Sequence, residues 1–278
     1  MKILSLGLGV QSTALYFMSS LGELPRVDYA IFADTGKEKT ETLKYLEFLL
    51  NWQKLNNGVE IVVLREKNLY LDLLNNENST GQRFTSIPAY TKNEDGSIGM
   101  MRRQCTGEYK LKQVDAWIRN KYEKKAKQRL PRTEVWIGIS ADEADRVSHP
   151  VEQWKHKVFP FVTFDIDYKG KVKRIEWSRI MSRNDIIRWY ENNSLPVPPK
   201  SSCIFCPYQS EKAWSDMKKN EPDDFKAAIK VDEAIRDSTQ KKNFNPLFLH
   251  ESCIPLSEIK FNESNDLWGG ECSGSCHR

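Results

Sequence analysis

No run of about 18 apolar residues occurs in this 278-residue sequence, so no membrane-spanning helix is expected. A surplus of one charge is also missing. The 42 basic and 38 acidic residues leave a net +4, which permits an anionic ligand or nucleic acid and demands neither. Apolar residues make up 39% of the chain and mean hydropathy is −0.62, so a heavily charged surface should enclose a core of ordinary aliphatics and aromatics. The opening residues MKILSLGLGVQSTAL superficially suggest a secretion signal. No small-residue cleavage site follows them, and Gln11, Ser12 and Thr13 interrupt the apolar run. They read as a buried strand entering a loop, in a cytoplasmic protein. In that compartment the six cysteines, Cys105, Cys203, Cys206, Cys253, Cys272 and Cys276, point to metal binding or redox chemistry before disulfides.

What is present is an alternation of strand and helix patterns. Lys2–Leu6, Val27–Ala33, Val59–Leu64 and Glu134–Ile139 are short apolar or β-branched runs. Between the first three lie helical patterns over Ser12–Leu21 and Glu41 to about Lys54. Such alternation predicts βαβ units, hence an α/β fold with a mostly parallel sheet flanked by helices. Asn75 to about Met101 has little periodicity and reads as a long loop. Further on, helices are expected at Lys110–Tyr122, Arg183–Asn192, Glu211–Lys219 and Pro222–Arg236, with strand and turn over Val158–Asp167. The expected division is a nucleotide-binding α/β domain over residues 1–168 and a helical, cysteine-bearing region over 169–278.

Between the first strand and the first helix stands Ser5-Leu6-Gly7-Leu8-Gly9-Val10-Gln11-Ser12-Thr13. Open parallel sheets bind ligands beyond the carboxyl ends of their strands. Glycines there let the backbone approach phosphate, and the first helical amides point at the anion. The loop lacks the Gly-Lys-Ser/Thr ending of a Walker A motif and the third glycine of a dinucleotide fingerprint, which excludes both.

The loop is similar to the PP-loop of the adenine nucleotide α-hydrolase superfamily, Ser-Gly-Gly-x-Asp-Ser, with Leu8 at one glycine and Gln11 at the aspartate. Two further segments resemble phosphoadenylyl-sulfate reductases: Asp34-Thr35-Gly36 with Glu38 and Glu41-Thr42, and Gly138-Ile139-Ser140-Ala141-Asp142-Glu143 with Arg146. The resemblance covers most of residues 1–210. It implies a Rossmann-like fold and an adenine nucleotide over Ser5, Gly7, Gly9, Gln11, Ser12 and Thr13. Asp34, Thr35 and Gly36 would lie near base or ribose. Gly138, Glu143, Arg146 and Arg102 would sit nearby, the two arginines on phosphate or sulfate. Structural alternatives stand beside these roles: Asp34 as a cap, Thr35-Gly36 as a turn, and Glu143 with Arg146 as an ion pair.

Cys203-Ile204-Phe205-Cys206-Pro207 has the spacing that turns two thiolates to one metal centre. It also resembles the C-x-x-C of iron–sulfur adenylyl-sulfate reductases, as Arg102-Arg103-Gln104-Cys105-Thr106 resembles their other cysteine segment. Lys200–Tyr208 is similar to reductase-like proteins of phages and bacteria. The resemblance implies Cys105, Cys203 and Cys206 as ligands of a [4Fe–4S] cluster, with zinc as the alternative. The fourth ligand would be Cys272 or Cys276, or an open iron position. Glu271-Cys272 resembles the reductases' nucleophile segment, which makes Cys272 the expected catalytic thiol and a thioredoxin-like protein the expected reductant. Cys276, four residues on, makes metal binding by the tail a competing role.

A basic run, Lys121, Lys124, Lys125, Lys127, Arg129 and Arg132, reads either as a solvated helix end or as a contact for nucleic-acid phosphate. Three function classes therefore stand open: sulfonucleotide reduction, ATP-dependent sulfur transfer or other modification of a nucleic-acid base, and non-catalytic nucleotide binding.

Overall fold

The computed structural model describes residues 1–76, 85–123, 128–240 and 245–261, with only the backbone of 238–240. It begins β1 (Lys2–Ser5), α1 (Val10–Leu21), β2 (Tyr29–Ala33), α2 (Thr40–Leu55), β3 (Glu60–Leu64) and α3 (Leu69–Asn75). A hairpin of β4 (Tyr90–Lys92) and β5 (Ile98–Met100) follows, then a π-helical segment Thr106–Leu111 running into α4 (Lys112–Lys121). Next come β6 (Thr133–Trp136), a 3₁₀ segment Ala141–Arg146, β7 (Lys155–Phe159), β8 (Phe164–Ile166) and β9 (Val172–Arg174). The chain continues through α5 (Arg183–Asn192), α6 (Glu211–Asn220), α7 (Pro222–Gln240) and β10 (Leu247–Phe248).

The main sheet has seven strands in the order β3-β2-β1-β6-β7-β8-β9. The five from β3 to β7 are parallel, and β8 and β9 add an antiparallel edge. Side chains alternate across the pleat, so one strand feeds two cores. Leu4 of β1 joins a cluster with α1, α2 and α5, while Ile3 faces Val114 and Ile118 of α4 on the other side. Helices thus cover both faces, the α/β arrangement that the alternation predicts.

Ten of the twelve α1 residues are buried, because α1 is covered by α2 and α5 as well as by the sheet. Phe17 meets the rings of Trp52 at 4.7 Å and Tyr190 at 6.2 Å, both edge-on, contacts worth roughly 0.5–1.5 kcal/mol each. A third cluster joins two distant stretches: Leu69, Ile87 and Tyr109 pack with Phe205, Trp214 and Val231. Residues 175–190 belong to the first cluster through Ile175, Met181, Ile186 and Tyr190. Position 168 itself falls in the turn between β8 and β9.

The structure departs from the sequence expectation at several points, among them α3, β9 and β10, for which no element was expected. Residues 90–100, expected as loop, form the β4–β5 hairpin, closed by Asn93, Asp95 and Gly96 with Gly96 at φ 83°. The helix expected from Lys110 starts earlier, as the π-helical turn. Lys155 begins β7 because its ammonium is buried against Asp115 at 2.7 Å and Glu152 at 3.1 Å, a pairing that apolar periodicity does not reveal.

The strand order fixes where a ligand fits. The chain moves outward from β1 to β3, then returns to the far side of β1 as β6. The loops after β1 and β6 therefore diverge over one crevice, the switch point of an open sheet. No described helix is long and apolar enough to cross a membrane.

Candidate functional site

The loop after β1 is closed from within. Gly7 N donates to Ser12 Oγ at 3.1 Å, and Ser12 Oγ reaches Gly9 O at 3.4 Å. Leu8 takes a left-handed φ of 58°, a region that favours glycine. Such a conformation costs a side-chain-bearing residue about 1–2 kcal/mol. Leu8 offsets that cost by full burial in the first cluster. Gly9 precedes α1 without a side-chain cap, and the first turn carries no acidic residue. The leading amides and the positive end of the helix dipole are thus available to an anion. Thr13 is fully buried behind the loop.

Gly138, after β6, lets the second loop press on the first. A Cβ at this position would fall 2.6 Å from Ser12 N and 2.8 Å from Ser12 Cα. Gln11 reaches across the same contact. Its Nε2 donates to Glu143 Oε2 at 3.1 Å and lies 3.4 Å from Ser140 Oγ. Arg146 completes the group, with Nη1 2.7 Å from Glu143 Oε2. Burial pushes the Glu143 carboxyl above its ordinary range, against the opposing pull of Arg146.

The loop after β2 supplies a third wall. Asp34 turns away from the crevice: it accepts Gly36 N at 2.8 Å and Arg65 Nε at 3.1 Å. Gly36 has φ 94°, and a side chain there would run into the Asn68 carboxamide, itself fixed as the cap of α3. Thr35 faces inward. Its hydroxyl donates to Glu38 Oε1 at 2.8 Å and lies 2.9 Å from Cys203 Sγ, whose thiol also reaches Glu38 Oε1 at 3.8 Å. Burial first, and the Glu38 charge second, push the Cys203 thiol well above its ordinary range.

One short antiparallel bridge carries the C-x-x-C segment to this wall. Glu38 pairs with Cys203, while Lys39 N donates to Ser202 O at 3.3 Å and Ile204 N to Lys37 O at 3.2 Å. Across the crevice runs the π-helical segment with the residues just before it. Arg103, Thr106 and Lys110 follow one another at i, i+3 and i+7 and all line the cavity. Arg103 hydrogen-bonds Thr106 and lies 5.7 Å over the Tyr208 ring. Lys110 Nζ is 3.9 Å from the Glu38 carboxylate, whose side chain is fully buried.

These walls enclose a cavity of about 230 Å³. Ser5, Gly7, Gly9, Gln11, Ser12, Thr35, Gly138, Glu143 and Arg146 line it, and so do Cys105, Cys203 and Cys206. Thr13, Asp34, Gly36 and Arg102 stand outside the lining; Arg102 is exposed, and its neighbour Arg103 takes the inward position. Cys272 and Cys276 lie outside the described residues, as do Lys124, Lys125 and Lys127. Glu38 and Lys110 carry charge in or behind the site, with no individual role legible in the sequence. The i, i+3, i+7 spacing from Arg103 was the available signal for Lys110.

The donors are right in kind for a soft metal or cluster, three cysteines facing one cavity. Among the described residues, however, no three His, Cys, Asp or Glu side chains come together closely enough to hold a metal ion. Cys203 moreover lies among Thr35 and the Glu38 carboxylate as a thiol whose pKa is pushed up, and it would have to lose its proton to ligate. The fold and cavity thus define an α/β protein with a mostly parallel sheet and a mixed cationic and thiol-bearing crevice at its switch point. The chain matches no family model, no curated protein and no solved structure.

Proposed function

We propose that the chain is an adenine-nucleotide-binding enzyme that reduces a sulfonucleotide by cysteine chemistry, in the manner of the phosphoadenylyl-sulfate reductases. The observation that carries this reading is the shared cavity, where an uncapped helix N-terminus, Arg103, Lys110, Arg146 and three thiols meet. The loop amides and Ser12 would hold the α-phosphate, and the cations would hold the sulfonate end. The Cys272 thiolate would attack the sulfonate sulfur. A sulfur–sulfur bond forms, the bond from sulfur to the bridging oxygen breaks, and that oxygen leaves with its electron pair on the nucleotide. A thioredoxin-like dithiol would then displace sulfite from the cysteine S-sulfonate and end as a disulfide, restoring the thiol.

In this reading Cys105, Cys203 and Cys206, with Cys276 as the fourth ligand, would hold a [4Fe–4S] cluster or zinc. A cluster would supply electron transfer and zinc a structural tie. No step above passes through either.

Glu143 favours a second reading, ATP-dependent sulfur transfer or another modification of a nucleic-acid base. It restores a carboxylate beside a loop whose own aspartate position is Gln11, and a carboxylate there suits magnesium. The two readings separate on magnesium and product. Sulfonucleotide reduction releases sulfite without magnesium and stops in Cys272→Ala, which still binds nucleotide. The second reading consumes ATP only with magnesium and releases no sulfite. Binding without turnover of either nucleotide would mark an accessory protein instead.

A further inference from the structure

Charge is unevenly spread along this chain. Residues 168–183 carry Lys169, Lys171, Lys173, Arg174, Arg179 and Arg183 against Glu176 alone. That segment's net +5 exceeds the +4 of the whole molecule, so the rest is slightly acidic. The segment comprises the β8–β9 turn, the edge strand β9 and the stretch leading into α5. Lys169, Lys171, Lys173, Arg174 and Arg179 are all exposed. Acidic neighbours only partly offset them: Arg179 meets Glu23 at 3.1 Å, Asp165 stands opposite Lys173, and Asp167 precedes the turn.

Edge strands often carry lysine to repel strand addition, which accounts for Lys173. It does not account for Trp177 and Ile180, exposed at 39% and 69% in the same stretch. Trp177 stacks on the buried Trp136 with centroids 4.8 Å apart and planes 17° from parallel. One ring face is thus fixed against the protein, and the remaining exposure belongs to the other. A rigid aromatic face among cations is the combination that holds single-stranded nucleic acid, by base stacking and phosphate contact.

The stretch is also tied to the wall of the cavity. Ala141 N donates to Met181 O at 2.9 Å, and Arg183 N to Asp142 Oδ1 at 2.9 Å. Both anchors lie in the 3₁₀ segment that carries Glu143 and Arg146. We propose that β9 and residues 175–183 form a docking surface for single-stranded nucleic acid. Lys171, Lys173 and Arg179 meet phosphates, and Trp177 stacks a base; the register places Lys173 on the same face of the sheet as Trp136, on which Trp177 lies. This surface goes beyond the nucleotide reading and does not depend on it.

The test is fluorescence anisotropy with labelled DNA and RNA single strands of roughly 20 nucleotides, at about 50 mM salt and above. Saturable binding is expected, with a salt slope of roughly −2 for three neutralised phosphates. The double variant Lys171→Glu, Lys173→Glu should bind at least tenfold more weakly, with unchanged melting temperature and adenine-nucleotide affinity. Trp177→Ala should weaken binding roughly tenfold, and Trp177→Phe should restore most of it. Absence of binding at low salt, or equal binding by the double variant, overturns the proposal. Capture only by phosphatidylcholine–phosphatidylserine vesicles of roughly 7:3 composition would overturn it too, in favour of a membrane surface.

Discussion

Gln11 Nε2 donates to Glu143 Oε2 at 3.1 Å, across 132 positions of sequence. The contact ties the loop after β1 to the segment after β6, and it puts a carboxylate beside a loop that has none of its own. Burial outweighs Arg146 and raises the Glu143 pKa, so the protonated form persists above the ordinary carboxylate range. As pH rises through the raised value, Glu143 gains a charge next to the anion site.

The proposed anion site should therefore bind best below that value and more weakly above it. Adenylyl sulfate, whose phosphosulfate does not titrate near neutrality, is the ligand to use. Its affinity should fall by about fivefold, roughly 1 kcal/mol for one added charge at about 4 Å in water. The stability contribution has the same sign: the folded state holds the proton more tightly, so stability falls as pH rises across that window. Glu143→Gln should flatten both profiles. An unchanged affinity profile in that variant would remove Glu143 from the anion site.

Gly138 is required by the approach of Ser12, and its own φ imposes nothing. The Cβ of Gly138→Ala would sit 2.6 Å from the Ser12 amide nitrogen, so the two loops must part. Loss of about 1–3 kcal/mol in urea unfolding is expected, together with at least tenfold weaker nucleotide binding. A variant of full stability and affinity would show that the loops have room.

At Leu8 the usual ranking of small residues should invert. Leu8→Ala loses a fully buried side chain and keeps the left-handed backbone, for a cost of about 2–5 kcal/mol. Leu8→Gly loses the same contacts but relieves the backbone. It should be the more stable of the two by about 1 kcal/mol, although glycine normally destabilises. Equal or reversed midpoints in denaturant would contradict the account of the loop.

Asp232 holds the C-terminal part together from α7. Its buried carboxylate accepts Leu249 N at 2.8 Å, Leu256 N at 3.1 Å and Arg236 Nη1 at 2.6 Å. Asp232→Ala strands two amides and a mostly buried guanidinium. A loss of about 3–5 kcal/mol is expected by chemical denaturation. A loss below about 1 kcal/mol would mean that water or a rearrangement replaces these bonds.

Much of this arrangement is legible in the residue order because it depends on local patterns. The strand and helix alternation gives the parallel sheet, and glycines after β1 and β6 mark the ends that meet at the crevice. Other features depend on long-range contacts. Glu38 follows Asp34-Thr35-Gly36 in the sequence, but the bridge to Cys203 and the burial of its charge are set by residues 165 positions away. Gly36 reads as a turn glycine, while its need is set equally by Asn68, 32 positions away. Of two adjacent arginines, the turn into the π-helical segment brings Arg103 inward and leaves Arg102 exposed, a choice of phase that the pair itself does not express. The β4–β5 hairpin leaves little periodicity in the sequence because its strands are three residues long, and Asp95-Gly96 is the turn signal that marks it.

The central claim is that the crevice between the β1 and β6 loops holds an adenine sulfonucleotide. Calorimetric titration of the wild-type chain with adenylyl sulfate, with and without magnesium, tests it most directly. The account predicts saturable one-site binding that is indifferent to magnesium and at least tenfold weaker in Gly138→Ala. Absence of binding, a strict magnesium requirement, or undiminished binding in that variant would contradict it.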